Sequence, residues 1–378
     1  MSNTEHHPRI DCAVIGAGHA GLAAARSLKE RGLRCLVVEQ SERVGAEWLR
    51  RPPHMRLFTP RSLSGLKGLP FPGPAAEYPR FPEVSDYLEQ YRRAMGIEVR
   101  LNARVSALRR DGHRFALDLA QGGTLHAPSV ILANGSNQEP IVPAAIADGL
   151  GTDILQVTAR DYRGPESLAG RWVAVVGDGA SGRQIALELA EHGIAVELCG
   201  DGTRPAVPAR ILGRSIFHWL TWLGIVGADR DSRIARRVRD RNPLPQAALG
   251  VAHLRRKGVV LRPRCVASQR DALRLADSTL ARADAVIWCL GYREDASWNR
   301  LAPQDDPDWF VRGRGRTDEP GLFVVGRQWL RCRASELILG ADADADTVTA
   351  LVAEYLEGAP AAVAGREPFT AVQPEAAS

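Results

Sequence analysis

Two stretches of the chain share one plan: an apolar strand, a glycine-rich turn, an alanine-rich helix and a second strand. The first stretch covers residues 10–39 and the second residues 172–198. Both turns have the spacing G-x-G-x-x-G, from Gly16 to Gly21 and from Gly177 to Gly182. In such a unit the phosphates of a dinucleotide lie against the N-terminus of the helix. The sequence therefore predicts an α/β fold with two Rossmann-like dinucleotide-binding domains of the three-layer ββα type.

The two units differ where the second strand ends. In the first unit this strand ends at Glu39, which is placed to accept hydrogen bonds from a ribose diol. The equivalent position in the second unit is Gly200, and Arg204 follows closely. An arginine suits a charged 2′-phosphate better than a bare hydroxyl, so NADPH is favoured. The neighbouring Asp201 weakens this inference, and the alternative is that Arg204 and Arg183 are ordinary surface residues.

Further secondary structure is predicted outside the two units. Alternating segments at 99–108 and 115–119 indicate antiparallel strands. Apolar runs at 129–133, 285–290 and 322–325 indicate buried strands, each followed by a glycine within two residues. These elements supply enough strands to complete two sheets.

Composition excludes several classes of protein. The formal charge is +5, but the arginines are spread along the chain without a basic helix and interleaved aromatics, so no nucleic-acid partner is expected. The longest nearly apolar stretch, residues 215–228, is too short for a membrane span. The N-terminus lacks the apolar core of a secretory signal, which predicts a cytoplasmic location.

The cysteines exclude one kind of redox centre. They lie far apart and form no C-x-x-C pair, and we interpret them as reduced thiols: Cys12, Cys35, Cys199, Cys265, Cys289 and Cys332. The chain therefore lacks the dithiol with which a thioredoxin-reductase-like enzyme passes electrons to a disulfide. No spacing typical of metal ligands is present either, and His6 and His7 are interpreted as part of a polar N-terminus, so no metal is predicted.

Three other features allow more than one interpretation. Asp342, Asp344 and Asp346 alternate with alanine, but the EF-hand glycine and distal glutamate are missing, so acids in the first turn of a helix are preferred over a calcium site. The apolar segment 215–226 could cover a substrate pocket, meet another subunit or simply be buried. No Ser/His/Asp arrangement or carboxylate pair indicates hydrolysis.

Several motifs between and after the two turns resemble those of the single-component FAD- and NADPH-dependent monooxygenases, which include flavin-containing, N-hydroxylating and Baeyer–Villiger enzymes. The resemblance covers about residues 9 to 360, chiefly with the short bacterial members. The motifs are G-A-E-W at 45–48 with R-L-F-T-P at 56–60, V-I-L-A-N-G at 130–135, the linker at 162–173, W-C-L-G-Y at 288–292, P-G-L-F-V-V-G at 320–326 and the stretch 335–346. Trp48 and Trp329 would flank the flavin, or else be core residues.

The glycine-rich turns and this resemblance together imply a set of cofactor-binding residues for FAD and NADPH. The set is Gly16, Gly18, His19, Ala20, Gly21, Glu39, Gln40, Glu47, Trp48, Arg56, Leu57, Thr59, Arg104, Val105, Ala133, Asn134, Gly135, Gly177, Gly179, Ala180, Ser181, Gly182, Arg204, Gly291, Tyr292, Gly326 and Asp344. The catalytic residues stay open, because the cofactor carries the difficult chemistry in such enzymes.

The chain departs from the family pattern at a few positions. The family fingerprint has a histidine four residues before Tyr162, and this chain has Thr158. The Baeyer–Villiger ending of that fingerprint is absent as well, which makes ketone insertion less favoured than attack by a soft nucleophile. Asn134, Cys289 and Leu290 replace usual residues and put the fine positioning of nicotinamide against flavin in doubt.

The positions of the motifs predict that an NADPH domain is inserted in the FAD domain. We expect residues 8–160 and 286–362 to form the FAD domain and residues 161–285 the NADPH domain. Residues 1–7 and 366–378 are predicted to be disordered. With 378 residues and 45% hydrophobic content, the chain can supply a core to each domain.

The working hypothesis is a flavin monooxygenase that uses NADPH and O2, through a C4a-(hydro)peroxyflavin, to oxygenate a nitrogen, sulfur or carbon nucleophile of a small molecule. One alternative is an FAD-dependent NAD(P)H oxidoreductase that does not oxygenate. A second alternative is a non-catalytic flavin-binding regulator, which the altered motifs suggest. The substrate is not predicted, and a homodimer is compatible with the sequence.

Overall fold

The computed structural model describes residues 10–303, 309–310 and 313–358. The helices of the described part are α1 (His19–Glu30), α2 (Ala46–Leu49), α3 (Phe81–Ala94), α4 (Ala144–Ala147), α5 (Ala180–Glu191), α6 (Ile216–Trp222), α7 (Arg233–Arg241), α8 (Val251–Arg256) and α9 (Ile338–Gly358). The predicted disordered segments, with His6 and His7, lie outside the described residues.

The strands form two large parallel sheets and several small antiparallel ones. They are β1 (Cys12–Ile15), β2 (Cys35–Val38), β3 (Val99–Arg100), β4 (Val105–Asp111), β5 (Arg114–Leu119), β6 (Thr124–Ala127), β7 (Ser129–Leu132), β8 (Glu139–Pro140), β9 (Leu155–Thr158), β10 (Val173–Val176), β11 (Val196–Cys199), β12 (Arg210–Ile211), β13 (Arg214–Ser215), β14 (Val260–Arg262), β15 (Cys265–Gln269), β16 (Ala272–Leu275), β17 (Leu280–Arg282), β18 (Ala285–Trp288), β19 (Tyr292–Arg293) and β20 (Leu322–Val324).

The first parallel sheet has the order β20-β7-β1-β2-β3 and is covered on both faces. Side chains alternate between the faces as the strand period requires. Val14 packs with the helix layer of α1 and α9, whereas Ala13 and Ile15 pack with the antiparallel sheet β4-β5-β6. The predicted strand at 99–108 is thus two strands, because β3 joins the parallel sheet and β4 the antiparallel one.

The second parallel sheet has the order β14-β11-β10-β18-β9 and repeats this construction. Val173 and Val175 face α5 and α8, and Ala174 and Val176 face the antiparallel sheet β15-β16-β17. Both units are therefore three-layer ββα units, as predicted. In chain order, the first strand of this sheet is β9 and the last is β18. The predicted domain boundaries at 161 and 285 stay a prediction.

Helix α9 returns the C-terminal part of the chain to the first unit. Arg26 of α1 is 3% exposed and forms ion pairs with Asp342 at 3.1 Å and Asp346 at 3.0 Å. The prediction that these acids lie in the first turn of a helix is wrong, because α9 begins at Ile338 and its first turn has no acid. The alternation of acids places Asp342 and Asp346 toward α1 and leaves Asp344 on another side.

Within the described ranges, no helix has the length and apolar character needed to cross a bilayer. The same residues contain no group of three or more His, Cys, Asp or Glu arranged to hold a metal ion.

Candidate functional site

The first glycine-rich turn connects β1 to α1, and each position requires or permits glycine for a different steric reason. A Cβ at Gly16 would lie 2.6 Å from the carbonyl oxygen of Ala133, and the φ of +106° also favours glycine. A Cβ at Gly21 would lie 2.0 Å from the carbonyl oxygen of Gly16. Nothing lies within 4 Å of a Cβ built at Gly18, so the space in front of the helix N-terminus is open. Ala20 packs beneath the turn, where a Cβ at Gly326 would meet it at 2.5 Å.

Glu39 follows β2 and its carboxylate lies beside this open space. Its Oε2 accepts a hydrogen bond from the backbone N–H of Ala17 at 2.8 Å, and its Oε1 accepts one from Ser41 at 3.0 Å. Gln40 is exposed next to it. The backbone N–H of Ala103 donates to the carbonyl oxygen of Glu39, which brings the predicted residues Arg104, exposed, and Val105, buried, to the same edge of the sheet.

Buried polar atoms without partners test whether the first site fits FAD. His19 begins α1, and its Nε2 is buried without a hydrogen-bond partner. Burial, and secondarily Arg51, lowers the pKa of His19 to about 4, so the imidazole is neutral near pH 7. Both carboxylate oxygens of Asp344 are likewise buried and lack a hydrogen-bond partner. Since buried polar groups normally find partners, these atoms and the open turn fit a polar ligand such as FAD.

Burial also governs the charge of Asp344. It raises the pKa of this carboxyl group, while Ser335 and the Arg331 guanidinium, 3.6 Å away, act in the opposite direction. Asp344 lies in the second turn of α9, not at its N-terminus. Its predicted role as a partner of FAD stays a prediction that this burial favours over a role as a helix-dipole partner.

The segment after β2 supplies aromatic and basic side chains. Trp48 of α2 lies 6.2 Å from the ring of His19 and 5.6 Å from that of Phe81. The guanidinium of Arg51 stacks on both Trp48 and Phe81, at 5.2 and 5.7 Å from their centres. Glu47 accepts a hydrogen bond from Arg160 at 3.2 Å, which ties this segment to the linker between the units.

The side chains of the R-L-F-T-P segment make mainly structural contacts. Arg56 is exposed and donates to the carbonyl oxygen of Tyr78 at 2.6 Å. Leu57 packs against the core of the first unit, and the buried hydroxyl of Thr59 is 2.9 Å from that of Ser64. These contacts hold the segment beside the helix layer, and direct binding of a cofactor by these residues stays a prediction.

The second glycine-rich turn, between β10 and α5, repeats the sterics of the first. A Cβ at Gly177, where φ is +107°, would lie 2.4 Å from the carbonyl oxygen of Cys289, and one at Gly182 would lie 1.8 Å from that of Gly177. At Gly179 the nearest atom to a Cβ is an Nη1 of Arg204, at 3.4 Å. Ala180 and Ser181 begin α5, with Ser181 exposed. This turn therefore repeats the first, except that the Arg204 guanidinium lies in front of the helix N-terminus.

Arg204 lies over the second turn, beside Gly179 and close enough to Asp178 for that carboxylate to act on its pKa. Its Nε donates to the carbonyl oxygen of Asn242 at 2.9 Å, and no ion pair is found for it within the described residues. Burial, and next the nearby Arg183, lowers the pKa of Arg204, although it remains charged at neutral pH. A partly buried guanidinium that forms no ion pair suits a phosphate group.

Sequence reasoning missed the role of Arg183. The sequence offers an ordinary surface residue as one alternative for it, but Arg183 is 1% exposed and donates to the carbonyl oxygens of Asp178, Arg204 and Leu249. It also forms an ion pair with the carboxylate of Asp178 at 3.2 Å. The alternative that placed Arg183 on the surface is thus wrong, because the side chain satisfies backbone carbonyls of the turn and of two other loop and short-helix segments.

Three polar side chains, Arg327, Glu294 and Asn134, join the ends of three strands, and the sequence did not reveal this cluster. Arg327, which follows β20, is 1% exposed and pairs with Glu294. Asn134, which follows β7, accepts a hydrogen bond from Arg327 at 2.7 Å. Asn134 therefore has a structural partner here. The signal in the sequence was a polar residue close behind each of two apolar runs, Asn134 after residue 133 and Arg327 after Gly326.

The remaining predicted residues lie around this group. Gly135 has φ +71° with open space around it, and Gly291 has φ +90°. Tyr292 begins β19 beside Pro140, and burial raises its pKa. Thr158, at the departure from the family fingerprint, ends β9 and donates a hydrogen bond to Asp161 at 2.6 Å.

The apolar segment around α6 lies over the junction of the units. Phe217 is buried with Phe58 and Cys332. Trp222, in contrast, is 77% exposed. Plain burial therefore accounts for one face of this segment and not for the other. Trp329 has φ +56° and lies under the guanidinium groups of Arg239 and Arg333, at 5.7 and 6.0 Å from its ring centre.

Two Rossmann-type units, each with a glycine-rich turn at the carboxyl end of a parallel sheet, define a two-dinucleotide oxidoreductase. The family model described as pyridine nucleotide-disulphide oxidoreductase matches residues 13–209, and the chain belongs to this family. An oxidoreductase of Geobacillus kaustophilus named CzcO-like is 33% identical over 342 residues, which cover 89% of this chain and 96% of that protein.

Two monooxygenases are also similar to the chain. The solved structure of a flavin-containing monooxygenase from Stenotrophomonas maltophilia is 25% identical, with a TM-score of 0.76 over 92% of this chain and 99% of that one. Indole-3-pyruvate monooxygenase YUCCA1 of Oryza sativa subsp. japonica is 32% identical over 224 residues, 57% of this chain and 55% of that protein. These matches confirm the predicted fold and the class of single-component flavin monooxygenases, whose cofactors are FAD and NADPH.

Proposed function

We propose that this chain is a monooxygenase that binds FAD at the first turn and NADPH at the second and uses O2 to oxygenate a nitrogen, sulfur or carbon nucleophile of a small molecule. The observation that carries the proposal is the pair of glycine-rich turns on two sheets, with open space at Gly18 and a guanidinium beside Gly179, in a chain whose relatives include monooxygenases.

The first site would hold FAD through main-chain and side-chain groups. The N-terminus of α1 would face the pyrophosphate, Glu39 would accept from the adenosine ribose, and His19 and Asp344 would find their missing polar partners on the same cofactor. When bound, FAD takes up a hydride and then activates O2, which no side chain of the protein can do.

The second site would hold NADPH through α5 and Arg204. The N-terminus of α5 would receive the pyrophosphate, and the guanidinium beside Gly179 would pair with a phosphate group of the cofactor. Arg160 and Arg327 hold the segments between the sites through Glu47 and Glu294. The protein would thereby orient the two cofactors and exclude water between them.

The state of the thiols argues against the reductase branch that the family name suggests. All of the cysteines are unpaired and none is exposed. Burial raises the pKa of Cys35 to about 11 and that of Cys199 and Cys289 to about 12. Since the thiolate is the reactive form, these residues are unsuited to exchange with a disulfide.

The test is aerobic turnover with isotopically labelled O2 and panels of amines, thioethers, ketones and aromatics, followed by mass spectrometry of the products. Incorporation of label, dependent on NADPH and on FAD, would support the proposal. Stoichiometric release of hydrogen peroxide with every panel would favour the non-oxygenating oxidoreductase instead. Absence of any NADPH-driven bleaching of the flavin would favour the non-catalytic regulator.

A further inference from the structure

The two glycine-rich turns can be aligned residue by residue, starting from Gly16 and Gly177. In this alignment Ala17 corresponds to Asp178, Glu39 to Gly200, and Ser41 to Gly202. The first unit thus has its acid at the strand end and a small apolar residue inside the turn. The second unit has the reverse.

The carboxylate nevertheless reaches the same place in both units. In the first unit Glu39 accepts hydrogen bonds from the backbone N–H groups of Ala17 and Ser41. In the second, a Cβ at Gly200 would lie 2.5 Å from the Cβ and 2.7 Å from the Oδ1 of Asp178. The backbone N–H of Gly202 donates to Oδ2 of Asp178 at 2.8 Å, as Ser41 donates to Glu39. Asp178 therefore fills the space of the missing strand-end acid from the opposite side.

Arg183 fixes the orientation of this carboxylate. Its Nη2 lies 3.2 Å from Oδ2 of Asp178, while its other nitrogens donate to backbone carbonyls, so the buried guanidinium cannot swing away. Oδ1 of Asp178 has no hydrogen-bond partner among the described residues, and the side chain is 20% exposed. One oxygen is therefore held in place and the other is free to accept.

We propose that Asp178 is the ribose-binding carboxylate of the second turn and that it enables the chain to bind NADH as well as NADPH. This inference rests on the proposed function of the second turn. A carboxylate at this place accepts hydrogen bonds from the ribose diol of a nicotinamide dinucleotide, and Arg204, whose guanidinium lies beside Gly179, pairs with a 2′-phosphate. The balance of Asp178 against Arg204 sets the preference between the two cofactors.

The first experiment measures the affinity of the oxidised, FAD-loaded protein for NAD⁺ and NADP⁺ by isothermal titration calorimetry. We expect Asp178→Asn to weaken binding of NAD⁺ about tenfold and that of NADP⁺ about twofold or less, because only the unphosphorylated ribose offers the full diol. The matched control is Asp201→Asn, which removes the same charge from an exposed residue of the same loop and should change both affinities about equally. Equal weakening of both cofactors by Asp178→Asn would overturn the inference.

A second experiment moves the carboxylate back to the strand end. The double variant Asp178→Ala, Gly200→Glu copies the first turn. It should recover most of the NAD⁺ affinity that Asp178→Ala loses. In the single variant Gly200→Glu, the new side chain would clash with Asp178. Binding of NAD⁺ by the double variant no better than by Asp178→Ala would contradict the inference. Failure of the wild-type protein to bind either dinucleotide would instead refute the proposed function, so the two failures are distinguishable.

Discussion

The two dinucleotide units of the chain have the same backbone and different side chains. In both units a Cβ built at the first or last glycine of the turn would lie less than 3 Å from a main-chain carbonyl oxygen. The residue that follows the last glycine is Leu22 in one and Arg183 in the other, and both are buried. The residue that begins the helix is His19 in one and Ala180 in the other. The comparison shows that sterics fix the turn, while its surroundings are free to adapt to a particular nucleotide.

The largest effect on cofactor binding is expected from substitutions that block one glycine-rich turn at a time. Gly21→Val would place side-chain atoms against the carbonyl of Gly16, so we expect protein without FAD and without visible flavin absorbance. Gly182→Val should do the same to the second turn, leaving FAD bound and lowering NADP⁺ affinity at least about a hundredfold. Absorbance spectra and calorimetry of both variants check this. Loss of FAD in a folded Gly182→Val protein would show that the turns do not act separately.

A substantial loss of stability is expected when Arg183 is replaced by the leucine that the first turn has. Arg183→Leu leaves the carbonyls of Asp178 and Leu249 without a donor and the Asp178 carboxylate without its cation, for a cost of about 3 kcal/mol in the free energy of unfolding. Denaturant titration measures it. Arg43→Leu is the control, because its pair with Asp86 leaves the two side chains 37% and 73% exposed, and a loss of about 1 kcal/mol or less is expected. Equal losses would mean that burial of Arg183 is unimportant.

The parts that the sequence predicted well are those that sterics and strand alternation determine. The glycine spacing predicted both turns, and the apolar runs predicted the central strands β1, β7, β10, β18 and β20, with ends correct to within about two residues. Backbone demands of this kind are local, since they depend on a few neighbouring residues.

The parts that the sequence did not predict depend on tertiary contacts. Arg183 looks like a surface residue until the carbonyls of Arg204 and Leu249 are brought to it by distant segments. Asp342 and Asp346 were placed in a first helical turn, although their partner is Arg26, more than 300 residues earlier in the chain. The position of the Asp178 carboxylate depends on a side-chain rotamer. Neither composition nor spacing contains this information.

A smaller effect is expected from replacing Arg204, whose guanidinium lies beside Gly179 of the second turn. Arg204→Ala should weaken NADP⁺ binding about tenfold and NAD⁺ binding about twofold, because only NADP⁺ carries the 2′-phosphate. Arg264→Ala, an exposed arginine after β14, is the control and should change neither affinity by more than about twofold. If Arg204→Ala weakens both cofactors by the same factor, this guanidinium contacts a group that both share, such as the pyrophosphate.

The smallest effect concerns His19, a titratable group whose counterpart in the second turn is Ala180. Burial lowers the pKa of His19 from its ordinary value of 6.5 to about 4, so the folded protein takes up a proton less readily than the unfolded chain. The free energy of unfolding is therefore unaffected by this titration above pH 6.5. It falls as the pH drops from 6.5 toward 4, because the unfolded chain then binds a proton that the folded protein does not. In FAD-free protein, wild type should therefore lose about 1 kcal/mol relative to His19→Ala between roughly pH 7 and 5.5. Parallel stability curves would show that His19 is not held neutral. Bound FAD should reduce this difference in pH dependence between wild type and His19→Ala, since a phosphate beside the imidazole favours its protonated form.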